Sequence, residues 1–289
     1  MTEASQITER VGPMMRTSRS GRRRNQHLNF GVAIVGIVVM MAIFAPLLTR
    51  YSPIDQDFSA TLQGPSWTHL LGTDNLGRDL WSRILYGGRI DLFLATVAVA
   101  APLVIGTAVG ALSGYFGGWF DVIVMRIADI VVAFPFYVLV ISLVFIFGNG
   151  VGSIFAAISI VSWVAYARIV RAEALVIRST DFMDALRVGG IGTVRIVFRH
   201  LVPNVVSQAI VYAMSDIVAN IGVIVTLSYF GMGIVPPTPD WGSMMADGQP
   251  FFVGGYYGLM VIPALAVIVT SFGLSLIGDG LANVLRVKR

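Results

Sequence analysis

Apolar residues in this chain come in long blocks rather than in alternation with polar ones. No charged side chain lies between Asn25 and Thr49, between Leu92 and Phe120, or between Ile130 and Ala167. A membrane-spanning helix needs about 20 apolar residues. The first two blocks therefore predict one helix each, from about Leu28 to Leu48 and near 93–115. The third is long enough for two, and the stretch GNGVG at 148–152 divides it, because glycine and asparagine punctuate helices. That gives helices near 128–147 and 153–172, and later blocks give helices near 205–230 and 254–277. The pattern predicts an all-α polytopic membrane protein with six transmembrane helices.

The first block exceeds the apolar stretch of a secretory leader, roughly 7–15 residues, so it reads as a retained helix behind a basic tail, residues 1–27. Residues 28–91 then hold that helix and an extracytoplasmic segment, 92–280 form the core, and 281–289 close the chain. Arginine placement orients it. Arg10, Arg16, Arg19, Arg22, Arg23 and Arg24 precede the first helix, and Arg286, Lys288 and Arg289 follow the last. Six more arginines lie between 168 and 203, whereas 231–253 contains neither lysine nor arginine. Basic loops stay cytoplasmic, so both termini are expected on the cytoplasmic side.

Composition changes this picture little. The chain is 56% hydrophobic and 12% charged, against about 25% charged in a soluble domain. Without cysteine it has neither a disulfide framework nor a thiolate metal site. No GxxxxGK[ST] phosphate loop occurs, the one lysine is Lys288, and no HExxH is present. His27, His69 and His200 are far apart. The chain is not expected to be an enzyme or to bind ATP itself.

Two features invite function. The charged passage DFMDALRVGGIGTVRIVFRHLVPN, 181–204, interrupts the apolar blocks. Its spacing predicts two short amphipathic helices joined by an elbow at GGIG, because glycine permits a sharp bend. Such a unit either docks on a cytoplasmic partner or rests as a basic connector on anionic lipid. Asp216 is the one acid placed deep in a predicted span. Intramembrane acids mark functional sites, and a hydrogen-bonded packing role is the alternative. The pairs Asp74/Arg78, Asp79/Arg83 and Arg126/Asp129, spaced three or four apart, are expected to brace helix ends at the surface.

The segments LLGTDNLGRDLWSRILYGGRIDL (70–92), GYFGGWFDVIVMRIADIVVAFP (114–135), LSYFGMGIVPPTPDWGSMM (227–245) and GDGL (278–281) together resemble permeases of bacterial ABC importers. The resemblance is to the dipeptide/oligopeptide/nickel group, to the subunit with one extra helix before the shared core, and covers about 25–281. It implies the type I importer permease fold in the bacterial inner membrane. It also implies a homologous second permease, two ATP-binding subunits that hold ATP and Mg, and a periplasmic or lipid-anchored solute-binding protein. This chain would carry no cofactor, sit among membrane lipid and bind no nucleic acid. Short peptides are the implied cargo; nickel chelates, glutathione, opines and oligosaccharides stay open. An ion-coupled secondary transporter and a non-transporting scaffold are the competing classes.

The family's coupling loop has the pattern Glu-Ala-Ala, three residues, Gly, nine residues, then apolar-x-apolar-Pro. The matching frame here is Asp184, Ala185, Leu186, Arg187, Gly190, His200 and Pro203, with Asp for Glu, Leu186 for the second Ala and His200 for an apolar residue. Relatives often carry an acid where Ile224 stands, and the tail ANVLRVKR also departs from theirs.

Overall fold

The computed structural model describes residues 19–286, without the side chains of 19–26, 283, 285 and 286. Arg10, Arg16, Lys288 and Arg289 lie outside the described residues. Helix α1 spans Arg19–Ile43 and is followed by a single turn, α2, Ala45–Leu48. Pro46 sits in the first turn of α2, where its missing N–H costs nothing. Helix α3 runs from Leu80 to Phe116. Asp79 caps it by accepting from the Ser82 N–H at 2.8 Å and the Ser82 hydroxyl at 2.9 Å. The residues from Leu80 up to the predicted span near 93–115 form the first turns of α3, so this helix is longer than predicted.

The expected straight helix at 128–147 is two helices, α4 (Gly118–Ala133) and α5 (Phe136–Phe147), meeting at 91°. Pro135 causes the break. It offers no N–H to the ladder and pushes the preceding residue out of the helical region; Phe134 is extended, with φ −89° and ψ 141°. Helix α6 (Val151–Arg178) returns across the bundle. A short helix α7 (Asp181–Val188) follows, then α8 (Thr193–Ile196), a π turn (Val197–Leu201) and α9 (Val202–Tyr229). Helix α10 (Trp241–Gly248) precedes α11 (Gly258–Arg286).

Among the described residues, four helices are long and apolar enough to cross a membrane: Leu80–Phe116, Val151–Arg178, Thr193–Tyr229 and Gly258–Ala282. The bent pair α4–α5 makes a fifth if it is one span. The sixth expected span rests on the apolar part of α1, His27–Ile43, which is shorter.

Glycine lets the helices approach. Gly106, Gly110 and Gly114 form a stripe on α3 that lies directly on α6: a methyl group at Gly110 would sit 2.9 Å from Ala167 Cα, and one at Gly114 2.6 Å from Ala174 Cβ. Close backbone approach at small residues is how helices associate in lipid, where no hydrophobic force drives them together. Helix α1 packs on α11 in the same way, Gly31 against Gly273 and Leu276, and Gly280 against Leu28.

Candidate functional site

Polar side chains of interest gather in the loop between α6 and α9, in the middle of the bundle, and at the end opposite that loop. In the loop, Met183 is fully buried and holds α7 to the bundle. Asp184 accepts from Arg187 at 2.7 Å, and the Arg187 guanidinium lies 5.7 Å from the centre of the Tyr115 ring at the end of α3. Gly190 terminates α7. Its N–H bonds to Arg187 O at 3.1 Å, the Ile191 N–H bonds to Leu186 O at 3.1 Å, and its φ is +73°. Those two bonds define a Schellman cap, which calls for glycine at this position. A methyl group at Gly190 would meet open space, so backbone conformation rather than crowding selects glycine.

The second short helix expected after GGIG is not separate. Residues from Thr193 onward run through the π turn into α9. Pro203 accounts for the π geometry: lacking an N–H, it cannot continue the α-helical ladder. The Val202 N–H reaches back to Val197 O, and Asn204 Nδ2 donates to His200 O at 2.6 Å. His200 is half-buried, its ring edge-on to Phe182 at 5.7 Å. Ala185 and Pro203 are exposed, and Leu186 is half-buried. The loop thus gathers Asp184, Leu186 and Arg187 on α7, sets His200 against Phe182, and leaves Pro203 in the first turn of α9. The amphipathic pattern was legible in the sequence, but not which apolar side chains stay uncovered: Phe182, Val188, Val194 and Phe198 are 53%, 90%, 71% and 68% exposed.

In the middle of the bundle, Asp216 is buried on α9 and accepts a 2.8 Å hydrogen bond from the Tyr166 hydroxyl. The Tyr212 ring meets the Tyr166 ring edge-on at 4.9 Å. Asp216 and Tyr212 border a cavity of about 700 Å³ whose wall also includes Arg168, Ser162 and both sides of the α4–α5 bend. Tyr166 lies 50 residues from Asp216, so no local pattern announces the pair.

At the opposite end, residues 49–79 and the loop holding α10 close over α3. Asp74 bonds Arg78 at 2.6 Å, Arg78 reaches Asp247 at 3.0 Å, and Arg83 lies 3.5 Å from both acids. Asp79 serves His69, at 2.9 Å, and the α3 cap instead of Arg83. The expected surface pairs are corrected here: Asp74, Arg78 and Arg83 are buried, and the network ties three segments together. The exposed Arg126/Asp129 pair forms at 3.8 Å, but Arg168 is the closer partner of Asp129, at 2.8 Å. Asp240 caps α10 through the N–H groups of Gly242 and Ser243, and burial raises its carboxyl above the usual range. Asp91 is also buried here and accepts the Trp241 N–H at 2.9 Å.

A bundle of apolar helices, a charged loop with an exposed apolar face, and a polar centre are the features of a multi-pass membrane protein. Residues 106–287 match the family described as binding-protein-dependent transport system inner membrane component, and 23–65 match the N-terminal TM domain of oligopeptide transport permease C. The dipeptide transport system permease protein DppC of Alkalihalophilus pseudofirmus is 35% identical, over 92% of this chain and 87% of the relative. The oligopeptide transport system permease protein OppC of Bacillus subtilis is 34% identical, over 99% and 93%. The glutathione transport system permease protein GsiD of Escherichia coli is 37% identical, over 92% and 88%. A chain of the MetNI methionine ABC transporter, solved in inward-facing conformations, shares the fold with a TM-score of 0.57 at 20% identity, over 73% of this chain and 97% of that one. This chain belongs to the binding-protein-dependent transport system inner membrane component family. It is a multi-pass permease subunit of an ABC transporter and not an enzyme. Ile224, which the sequence resemblance singled out, is fully buried on α9.

Proposed function

We propose that this chain is one of the two permeases of a bacterial inner-membrane importer that carries short peptides, driven by separate ATP-hydrolysing subunits. A solute-binding protein delivers the cargo, and both termini and the α7 loop are cytoplasmic. The relatives named for dipeptides, oligopeptides and glutathione support this cargo class. The observation that carries the reading is the exposed apolar face of the α7 loop, where Val188 and Val194 are 90% and 71% exposed among arginines. Apolar side chains on a charged, water-facing loop mark a protein-binding surface. Asp184, Ala185, Leu186, Arg187, Gly190, His200 and Pro203 shape that surface. It fits a cleft on an ATPase subunit, and ATP-driven closure of the ATPase pair moves α7 and the continuous α8–α9 helix.

The test is a double substitution, Val188→Asp with Val194→Asp. Both side chains face solvent, so the variant should insert at wild-type levels. It should no longer co-purify with the ATPase subunits, and ATP-dependent peptide uptake should fall to background. Retained ATPase binding and uptake would exclude this surface as the coupling site.

A further inference from the structure

The polar centre of the bundle holds an acid with no basic partner among the described residues. Asp216 is 5% exposed and has one hydroxyl donor, Tyr166. Among the described residues it takes part in no ion pair. Arg168 borders the same cavity, but at 2.8 Å it is engaged with Asp129. A carboxylate held among apolar helices needs a cation or a proton, because its desolvation is costly. The cavity beside it, about 700 Å³, is of the size of small-ligand sites, roughly 300–1,000 Å³. Phe134 and Phe136, on either side of the Pro135 bend, give it apolar walls, and Tyr212 and Ser162 supply hydroxyls.

We propose that this cavity is a peptide subsite in which the Asp216 carboxylate accepts the peptide's α-ammonium group. The inference rests on the peptide-importer reading. A peptide ammonium is a compact cation with three donors, so it can bond the carboxylate and the neighbouring hydroxyls together. Tyr166 holds the carboxylate in place, and the Tyr212 ring packed edge-on at 4.9 Å restrains Tyr166. Peptides of different sequence share their termini and main chain and not their side chains. A site that takes the ammonium and offers apolar walls to the rest accepts many sequences while requiring a free amino terminus.

The test uses the complete permease–ATPase complex in lipid nanodiscs, without nucleotide and without the binding protein, so that the permeases alone select. Saturation-transfer NMR would compare Ala-Ala-Ala with N-acetyl-Ala-Ala-Ala. A charge-assisted hydrogen bond lost inside a protein weakens binding by roughly tenfold or more. The free peptide should show saturation transfer, and the acetylated peptide should bind at least about tenfold more weakly. Asp216→Asn should abolish that difference, and Asp216→Glu should restore part of it. Equal binding of the two peptides to the wild type, or no binding of either, overturns the proposal, and so does a preference unchanged in Asp216→Asn. If Asp216→Asn fails to assemble, the acetylation comparison on the wild type still decides. Uptake of Ala-Ala-Ala by proteoliposomes supplied with the binding protein separates the two levels. Absence of uptake removes the peptide-importer reading, whereas uptake without an acetylation effect in the NMR experiment removes the Asp216 subsite alone.

Discussion

Replacing Gly110 with alanine adds one methyl group within the close α3–α6 contact, against the Ala167 backbone. That methyl would lie 2.9 Å from Ala167 Cα and 3.0 Å from its carbonyl carbon, both backbone atoms that cannot swing away. Carbon atoms prefer about 3.5–4.0 Å, so the helices must part by roughly 0.7 Å. A gap of that size forfeits about a quarter to a half of each dispersion contact along the interface, including those at Gly106 and Gly114. Overpacking of this kind costs about 1–3 kcal/mol, and this site lies at the upper end because the obstacle is main chain. Alanine recovers about 0.8–1.0 kcal/mol through helix propensity. The net expectation is a destabilisation of about 2 kcal/mol. Gly36 on α1 provides the control: a methyl there meets nothing within 4 Å. Gly36→Ala should therefore gain about 0.8–1.0 kcal/mol from the same propensity difference. Unfolding of the purified protein by dodecyl sulfate in mixed micelles reads both. Equal midpoints for the two variants would refute the argument that backbone contact at Gly110 holds α3 to α6.

At the opposite end, Asp74→Ala leaves the buried Arg78 and Arg83 sharing Asp247, whose side chain is 44% exposed. Breaking a buried ion-pair network by removing one partner costs about 3–5 kcal/mol; the remaining carboxylate places this case at the lower figure. The expected result is faster proteolytic cleavage within 49–79 at unchanged membrane insertion. Asp240 supplies a pH dependence. Burial raises its carboxyl above the ordinary 3.8, so the folded chain holds this proton more tightly than the unfolded chain. Stability from this group is therefore full below about pH 4 and falls as pH rises through the folded pKa. Asp240→Asn keeps an oxygen for the Gly242 and Ser243 N–H groups but removes the charge. Thermal scans between pH 4 and pH 8 should show a flatter profile for the variant, and parallel profiles would count against the assignment.

The apolar blocks made most of the helices legible, because lipid demands length and apolarity before anything else. The bend at Pro135 was also written in the chain, but counting uncharged residues passes over a proline that ends a helix. Asp74, Asp79, Arg78 and Arg83 look like surface residues by their charge. They are buried because each finds a partner, and Asp247 lies 164 residues from Arg83. The spacing Gly106, Gly110, Gly114 carries the α3–α6 contact, and a glycine at every fourth position was the signal available for it. In the loop, the spacing from Asp184 to Pro203 was legible, whereas the exposure of Val188 and Val194 depends on how Met183 seats α7. Asp216 stood out as a lone acid, but its donor on α6 could come only from the folded bundle.

The π turn has a mechanical consequence. It lets α8 and α9 continue as one helical rod of 37 residues, Thr193–Tyr229, despite Pro203. At 1.5 Å per residue such a rod is about 55 Å long. Its near end lies beside α7, and its far end leads into the loop before α10. If such a rod tilts about a point partway along its length, it acts as a first-class lever. Tilting a rod of that length by about 10° displaces one end relative to the other by roughly 10 Å. A push applied to the charged loop on one face of the membrane would arrive on the other face as motion in the opposite direction, with no need for a relay of intermediate contacts.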